Sequence, residues 1–290
     1  MSSGTVDELH LYPIKSCGGV SVTSATVSDT GLAGDRQWQV SSGGKPVTQR
    51  QKSILATVRP QPIEGGLRLS APEQPTIEVA RPSAVESETK VLIGVPMAVA
   101  DAGDDAAGWF ATLLDDPDAR LHALPPAAGV SIPSTIDVFG QRIAFGDLAP
   151  VLVANTASLD WLVERADEPF AIDRFRANIV VGSDTPFAEE TWARFQVGPA
   201  ELRYGMAWPR CAIPQVDQNS GERHKEPARV LAAHRKVTDA SVLSDDLRRI
   251  VEGSAVFGVG CAIGPVGSEI AVGDAVTVTE SQTPLLAPPS

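Results

Sequence analysis

Short runs in which apolar and polar residues alternate, each ended by glycine, proline or polar turn residues, fill the first part of the chain. Between residues 6 and about 81 the runs are DELHLYPI, VSVTSATVSD, RQWQVSS, KPVTQRQ, ILATVRP, LRLSAP and TIEVA. Alternation with a period of two is typical of strands with one buried face, and the frequent turns leave no room for long helices. The 25 glycines and 23 prolines agree with a turn-rich fold. This region is predicted to form a small antiparallel sheet or barrel.

A helix is predicted before residue 125, after a further strand at residues 90–99. The segment DDAAGWFATLLDD changes to a helical period, with Asp104 placed as the N-cap. Four apolar residues then share one helical face: Ala106, Phe110, Leu113 and Leu114. The strand ARLHAL follows, and the proline- and glycine-containing LPPAAGVSIPS predicts a connection between two regions. We therefore predict an N-terminal β-barrel-like domain over residues 1–125.

The second region, residues 126–280, again combines strands with a few helices. Strands are predicted at residues 150–154 and in ANIVVGS, ARFQVG, ELRYGMAW and EIAVGDAVTVTE, and helices at residues 158–165 and in PARVLAAHR. Residues 281–290 are predicted to be a flexible tail. The expected fold class is mainly β with a few helices (α+β), in two barrel-like domains.

Charge and cysteine content exclude several classes of protein. A formal net charge of -12 argues against a nucleic acid or an anionic membrane as the main partner, because both attract a cationic face. An anionic ligand would then need a locally basic pocket. The three cysteines form no CxxC pair, and no secretion signal or long apolar segment is present. The expectation is a soluble cytoplasmic protein with free thiols.

Two glycine-containing segments near the N-terminus carry candidate binding residues. In LYPIKSCGG, Lys15 and Ser16 lie in a loop whose ammonium, hydroxyl and backbone N–H groups suit a phosphate. An ordinary turn with a surface lysine is the alternative. In GLAGDRQWQV, Arg36 precedes a predicted strand and either binds a ligand or forms a structural ion pair with Asp35.

Two later segments are also candidates. In DRFRANIVVG, Arg174 and Arg176 would point to the same side of an extended chain, toward solvent or toward a bound phosphate. In AWPRCAIPQVDQNSGE, Cys211 lies beside Arg210 and is followed by Asp217, which favours a reactive thiolate. A buried structural cysteine is the alternative there. Cys17 and Cys261 are interpreted as packing residues.

The order of these segments resembles a known family. YPIKSC, GDRQW, FRANIVV and PRC-x5-D-x3-G, followed by the closing FGVGCAIGPVGSEIAVGDAVTV, together resemble the MOSC family. The similarity is to members with an N-terminal MOSC-type β-barrel, such as the mitochondrial amidoxime reducing component and its bacterial relatives. It covers about residues 6–279, which is nearly the whole chain.

The resemblance implies a molybdenum cofactor, a pyranopterin whose dithiolene binds molybdenum, with Cys211 as the protein's ligand to the metal. A soft thiolate ligand suits a molybdenum centre that sulfur already holds. Asp217 would lie near the metal and position solvent or substrate. The other residues that the resemblance places around the cofactor's phosphate and pterin are Lys15, Ser16, Arg36, Thr156, Ser158, Arg176 and Asn178.

Two departures from the family pattern concern the segment around the metal ligand. The chain reads RCAIPQVD where the family usually reads close to RC-x-x-TTVD, so Pro214 removes a backbone donor and Gln215 replaces a hydroxyl. Pro209 occupies a position where some relatives have a serine that contacts the cofactor. These changes predict altered access for the substrate.

The function that the resemblance implies is reduction of small N-hydroxylated compounds by oxygen abstraction at molybdenum. No cysteine-bearing extension for an iron–sulfur cluster follows the last predicted strand, so we expect a separate electron donor, a ferredoxin- or flavoprotein-type reductase. A non-catalytic carrier of the cofactor or its sulfur would need the same binding residues. A cysteine hydrolase is the third reading, with Cys211 as nucleophile, His224 as base and Asp217 as the orienting group.

Overall fold

The structure, a computed structural model, describes residues 4–85, 87–90, 94–146 and 148–287. Its strands, numbered in chain order, are β1 Gly4–Leu11, β2 Val20–Val22, β3 Ser24–Ser28, β4 Gly31–Leu32, β5 Trp38–Ser42, β6 Lys45–Pro46, β7 Arg59–Ile63, β8 Gly66–Ser70, β9 Ile77–Ala80, β10 Ser87–Lys90, β11 Pro96–Asp101, β12 Ala119–Ala123, β13 Val151–Asn155, β14 Ile179–Gly182, β15 Trp192–Val197, β16 Ala200–Pro209, β17 Val256–Gly264, β18 Glu269–Ala271 and β19 Ala275–Ser281. The α-helices are α1 Asp104–Leu114, α2 Thr156–Val163, α3 Ala228–His234 and α4 Asp245–Val251. Short 3-10 helices cover Ser53–Thr57, Ile172–Phe175, Ala188–Thr191 and Ile213–Gln215. The predicted class, mainly β with a few helices, is confirmed.

The largest sheet closes into a seven-stranded barrel. Its order is β14-β13-β17-β16-β15-β19-β1, and an additional pairing of β1 with β14 completes the ring, while β2 extends it on one side. Inward-facing side chains such as Val153, Phe195, Leu202 and Val259 fill its interior and are fully buried. Burial of this apolar surface is the main stabilising contribution to the barrel.

The first strand of the chain belongs to this barrel. β1 pairs with β14 through Val6 and Val181 and with β19 through Gly4 and Val276. β3 also pairs with β18, far along the sequence. The division of the chain at residue 125 stays a prediction about sequence regions, and the sheets combine strands from both sides of it.

The remaining strands of the N-terminal region form smaller sheets around their own core. One has the order β10-β11-β12-β5-β6 and another the order β7-β8-β9. Helix α1 packs against β12, and the buried Trp38, Leu55, Trp109 and Phe110 belong to one cluster. Two local predictions were wrong. Asp104 is the first helical residue rather than the N-cap, and the run ILATVRP begins with a 3-10 helix before β7.

Where one strand was predicted at residues 90–99, the structure has two strands, β10 and β11, that form a hairpin. β10 and β11 pair antiparallel through Lys90 and Pro96, and residues 91–93 between them lie outside the described residues. The predicted tail is also partly packed, because Leu285 and Leu286 contact a buried apolar cluster, and residues 288–290 lie outside the described residues. Among the helices that the structure describes, none combines the length and the apolar character needed to span a membrane.

Candidate functional site

A pocket of about 250 Å³ lies beside the carboxyl end of β16. Apolar side chains that include Leu148, Phe175, Trp208, Ile213 and Pro214 form part of its wall. No acidic residue of the described chain lines it. Its basic lining residues are Lys15, Arg36, Arg50, Arg174, Arg176 and Arg210. A chain with a net charge of -12 thus has a strongly basic pocket, as an anionic ligand requires.

Lys15 and Ser16 enter the pocket from the turn after β1. The Lys15 ammonium is buried and donates to the carbonyl oxygens of Phe145 at 2.9 Å and Gly146 at 3.3 Å. Ser16 is also buried, and its carbonyl oxygen accepts a hydrogen bond from the Gln49 amide at 2.8 Å. The Phe145 and Gly146 carbonyl oxygens orient the Lys15 ammonium toward the pocket that it lines.

Two of the arginines contact the ring of Tyr12. The Arg36 guanidinium is 5.1 Å and the Arg176 guanidinium 4.3 Å from the centre of its ring. Burial raises the pKa of the Tyr12 phenol, so the ring stays neutral and its hydroxyl donates to the Ala177 carbonyl at 3.2 Å. Burial also lowers the pKa of Arg176. The quadrupole of the aromatic ring stabilises both cations and offsets part of their mutual repulsion.

Hydrogen bonds fix the same arginines on their other sides. Arg36 pairs with the Asp35 carboxylate and donates to the side-chain oxygen of Asn178 at 3.1 Å. Asn178 is fully buried, and its oxygen also accepts from the Leu152 backbone at 3.2 Å. Arg176 donates to the Gln218 side chain at 3.3 Å. Arg36 therefore forms the predicted ion pair and also lines the pocket, and its contact with a ligand stays a prediction.

Three residues of the pocket adopt left-handed backbone conformations. The φ angles are +65° at Ser16, +48° at Arg36 and +55° at Arg176. Such conformations cost on the order of 1–3 kcal/mol each for residues other than glycine and occur mainly at functional sites. All three of these strained residues line the same pocket.

Cys211 lies just beyond the end of β16, at the exposed side of the pocket. A guanidinium nitrogen of Arg50 is 3.3 Å from its sulfur. The guanidinium of the neighbouring Arg210 donates hydrogen bonds to the Phe257 carbonyl at 2.9 Å and to the Phe175 carbonyl at 3.0 Å. Cys17 and Cys261 are fully buried, and burial raises the pKa of both thiols, so they are packing residues as predicted.

Asp217 contacts a residue of the pocket without lining the pocket itself. Its carboxylate is 2.9 Å from the Arg174 guanidinium, and Arg174 lines the pocket, whereas Asp217 is not among the lining residues. Hydrogen bonds from the backbone of Ser220 and Asn219 hold the pKa of Asp217 below its usual value. Asp217 is therefore a charged support for Arg174. Arg174 and Arg176 do line the same pocket, but Arg174 belongs to a 3-10 helix and Arg176 is the left-handed residue after it, rather than both lying in an extended strand.

The structure does not bring Thr156 and Ser158 to the pocket. Thr156 donates to the Asp7 carboxylate at 3.1 Å. Ser158 is fully buried, donates to the Glu189 carboxylate at 3.0 Å and accepts from the Phe187 backbone at 2.7 Å. The Thr156 hydroxyl joins the start of α2 to β1, and the Ser158 hydroxyl joins α2 to the Ala188–Thr191 turn. Neither residue lines this pocket, and the cofactor contact of both stays a prediction.

Sequence reasoning missed Arg50 and Trp208 as lining residues. Arg50 belongs to the run KPVTQRQ, where no local pattern distinguishes it from a solvated arginine. Only the folding of residues 48–50 against the loop after β16 brings it to Cys211. His224, the base of the hydrolase reading, lies 3.6 Å from Glu168, and no hydrogen bond within the described part of the chain joins it to Cys211.

Comparison with known proteins connects this geometry to a family. The model of the MOSC N-terminal beta barrel domain matches residues 3–117, and the MOSC domain model matches residues 140–277. Mitochondrial amidoxime reducing component 2 of Bos taurus is 34% identical over 287 residues, which cover 94% of this chain and 82% of that protein. The Homo sapiens protein of the same name is 31% identical, with 94% and 83% covered. Molybdenum cofactor sulfurase of Bombyx mori is 26% identical, with 78% of this chain but 30% of that protein covered.

Proposed function

The chain belongs to the MOSC family, in the group with a MOSC N-terminal β-barrel domain, and from this membership we propose that it binds a molybdenum cofactor and reduces N-hydroxylated compounds. Its relatives include amidoxime reducing components and a molybdenum cofactor sulfurase, which associates the chain with the molybdenum cofactor. The observation that carries the proposal is the position of the Cys211 sulfur at one pocket with six basic side chains.

The residues of the pocket fit such a cofactor. Guanidinium and ammonium groups are the preferred protein partners of a phosphate, and a thiolate is a soft ligand suited to a sulfur-bound metal. Among the described residues, no group of three or more His, Cys, Asp or Glu side chains gathers to hold a metal ion. A metal at Cys211 would therefore take its other ligands from a cofactor, which is what a dithiolene provides.

We assign the following roles to this chain's own residues. Cys211 would supply the thiolate ligand, and Lys15, Arg36 and Arg176 would hold the phosphate and pterin end. Asn178 would keep Arg36 oriented through the hydrogen bond described above. Asp217 would keep Arg174 oriented in the same way. A site fixed by such supporting contacts loses little conformational entropy when the ligand binds.

When bound, the cofactor would supply the two-electron chemistry that removes oxygen from an N–O bond. The overall reduction consumes two electrons and two protons and releases water and the N-deoxygenated product. We propose that the electrons come from a separate ferredoxin- or flavoprotein-type reductase and that the reaction takes place in the cytoplasm. The apolar wall formed by Trp208, Ile213 and Pro214 would limit water at the substrate side. Of these three residues, Pro214 belongs to the departure from the usual family sequence at residues 214 and 215.

The test compares wild-type protein with Cys211→Ala. Purified wild-type protein should contain molybdenum, release a fluorescent oxidised pterin and reduce an amidoxime or a hydroxylamine with a chemical reductant. Cys211→Ala should lose activity by at least about a hundredfold, because the protein's metal ligand is gone. Arg142→Gln, which changes an arginine bound to Asp29 away from the pocket, is the matched control and should stay active. Equal turnover by Cys211→Ala and wild type would overturn the proposal.

A carrier that delivers the cofactor or its sulfur is the second candidate, favoured by the similarity to the sulfurase. It predicts cofactor in the purified protein, no turnover with the chemical reductant and transfer to a cofactor-free acceptor enzyme. The same purified protein thus separates the two candidates.

A further inference from the structure

The sequence around Arg50 gives little indication of a role, yet Arg50 contacts the sulfur of the exposed Cys211. Its guanidinium nitrogen lies 3.3 Å from the Cys211 sulfur, and the two residues are separated by 161 positions in the chain. A distance of this size is within the range of an N–H···S hydrogen bond, which is strengthened when the sulfur is a thiolate.

The backbone that carries Arg50 is held from two sides. The Arg223 guanidinium donates to the carbonyl oxygens of Gln49 at 2.8 Å and Arg50 at 2.9 Å. The hydroxyl of Thr48 accepts from the Arg50 backbone N–H at 3.3 Å. Gln49 is fully buried and hydrogen-bonds Gln218, in the segment that follows Cys211. The residues before and after the Arg50–Cys211 contact are therefore fixed relative to each other.

The other basic residues of the pocket are oriented by different groups. Lys15 and Arg210 are hydrogen-bonded to backbone carbonyls, while Arg36 and Arg174 pair with Asp35 and Asp217. Arg50 in turn contacts the sulfur of Cys211. A cation at this distance places a positive potential at the sulfur of Cys211. The N–H group of Arg50 also orients the sulfur by donating a hydrogen bond to it.

We propose that Arg50 is a positioning residue for Cys211: its guanidinium holds the sulfur in place and keeps the immediate surroundings of the sulfur cationic. The contact itself does not depend on the proposed function. Its redox consequence does, because a hydrogen bond to a metal-bound sulfur tunes the potential of the metal. The N-terminal region would thereby complete a site whose metal ligand comes from the MOSC domain region.

The first test uses the full-length protein purified from a host that makes no molybdenum cofactor. Cys211 is exposed and the other two cysteines are buried, so alkylation is selective for Cys211, and Cys211→Ser gives the blank. Rates are measured at one pH with iodoacetate, which is anionic, and with iodoacetamide, which is neutral. Both reagents attack the same thiolate, so the ratio of their rates is independent of the thiolate population and reports the local potential.

The ratio of the iodoacetate rate to the iodoacetamide rate should be roughly three- to tenfold lower in Arg50→Gln than in wild type, because about one positive charge is removed at this distance from the sulfur. Arg50→Lys should restore much of the ratio, because it keeps the charge. Arg142→Gln is the control and should leave the ratio unchanged, since Arg142 contacts Asp29 and the Ala127 carbonyl. Near-UV circular dichroism confirms that each variant is folded. An unchanged ratio in folded Arg50→Gln would overturn the proposal.

The second test uses cofactor-loaded protein and distinguishes failure of this inference from failure of the proposed function. Arg50→Gln removes an N–H donor and a positive charge beside the sulfur, so the midpoint potential of the metal should shift to more negative values. The potential is measured in a redox titration monitored by electron paramagnetic resonance. A loaded wild type with an unchanged potential in Arg50→Gln would overturn the redox role of Arg50 and leave cofactor binding intact. Protein that never takes up cofactor would overturn the proposed function, and the alkylation ratio would still decide the role of Arg50.

Discussion

The side-chain amides of Gln49 and Gln218 hydrogen-bond each other in both directions, at 3.1 and 3.2 Å. Both are buried, and each has a further partner: Gln49 donates to the Ser16 carbonyl and Gln218 to the Val216 carbonyl. The pair connects the lysine-containing turn, the Arg50 segment and the segment after Cys211. Three parts of the chain that are remote in sequence are thus aligned under one pocket by two neutral side chains.

Gln218→Leu should destabilise the protein by about 1–3 kcal/mol, because it leaves the buried amide of Gln49 with unsatisfied donors and acceptors. The double variant Gln49→Leu/Gln218→Leu should cost less than the sum of the two single variants, since it removes both partners. Urea unfolding of the four proteins measures this coupling. Additive single effects would mean that the amide pair contributes no interaction energy.

Tyr12→Leu should weaken cofactor retention by roughly tenfold, because the ring that both the Arg36 and the Arg176 guanidinium contact is lost, and with it two cation–π contacts. Molybdenum content after extensive dialysis is the measurement. Tyr12→Phe is the matched control: it keeps the ring and removes the hydroxyl that donates to Ala177, so it should retain cofactor nearly as well as wild type. Equal losses in both variants would assign the effect to the hydroxyl.

Local patterns in the sequence predicted the fold class because alternation and turn residues act over a few neighbours. The regions of LYPIKSC, GDRQW and FRANIVV that line the pocket were also found, because clustered basic residues beside turns are visible in the sequence. The closure of the barrel by β1 was not predicted, since pairing of Val6 with Val181 depends on contacts across most of the chain. The Arg50–Cys211 contact was missed for the same reason.

The resemblance also predicted two hydroxyls, of Thr156 and Ser158, that do not line the pocket. A family motif identifies the loop, but the direction of each side chain depends on the partners that surround it. Here Asn155 caps helix α2 by accepting from the Ala157 backbone, and the hydroxyl of Ser158 lies beside the buried Glu189. Such a buried acid in AEET gives no signal in the sequence, where it reads as an exposed turn.

Ser158→Ala should lower stability by about 1–3 kcal/mol without changing cofactor content, because it removes one partner of the Glu189 carboxyl and a partner of the Phe187 N–H. Thr156 lies two residues before Ser158 and is only partly buried, so Thr156→Ala should cost less than about 1 kcal/mol. Thermal unfolding and molybdenum analysis are done on the same preparations. A loss of molybdenum from folded Ser158→Ala or Thr156→Ala would restore the direct role that the resemblance implied.

Stability should fall as the pH rises through neutrality, because of Glu189. Burial, together with the neighbouring Glu190 carboxylate, raises the pKa of Glu189 from 4.5 to about 7. Since the folded state binds this proton more tightly than the unfolded state, the stabilisation is fully present below the unfolded-state pKa and is lost as the pH rises through the folded-state pKa. The loss between about pH 5.5 and about pH 8 should be on the order of 2 kcal/mol.

Glu189→Gln should remove this pH dependence, because the amide keeps the shape of the protonated carboxyl and does not ionise. Urea unfolding at about pH 5.5 and about pH 8 should therefore show the variant gaining stability relative to wild type at the higher pH. Glu164→Gln is the control, since the Glu164 side chain is 71% exposed and its substitution should leave the wild-type pH dependence in place. The Glu190–Arg235 ion pair beside Glu189 is buried and is kept in every variant. If Glu189→Gln loses stability with pH as steeply as wild type, the titrating group lies elsewhere in the protein.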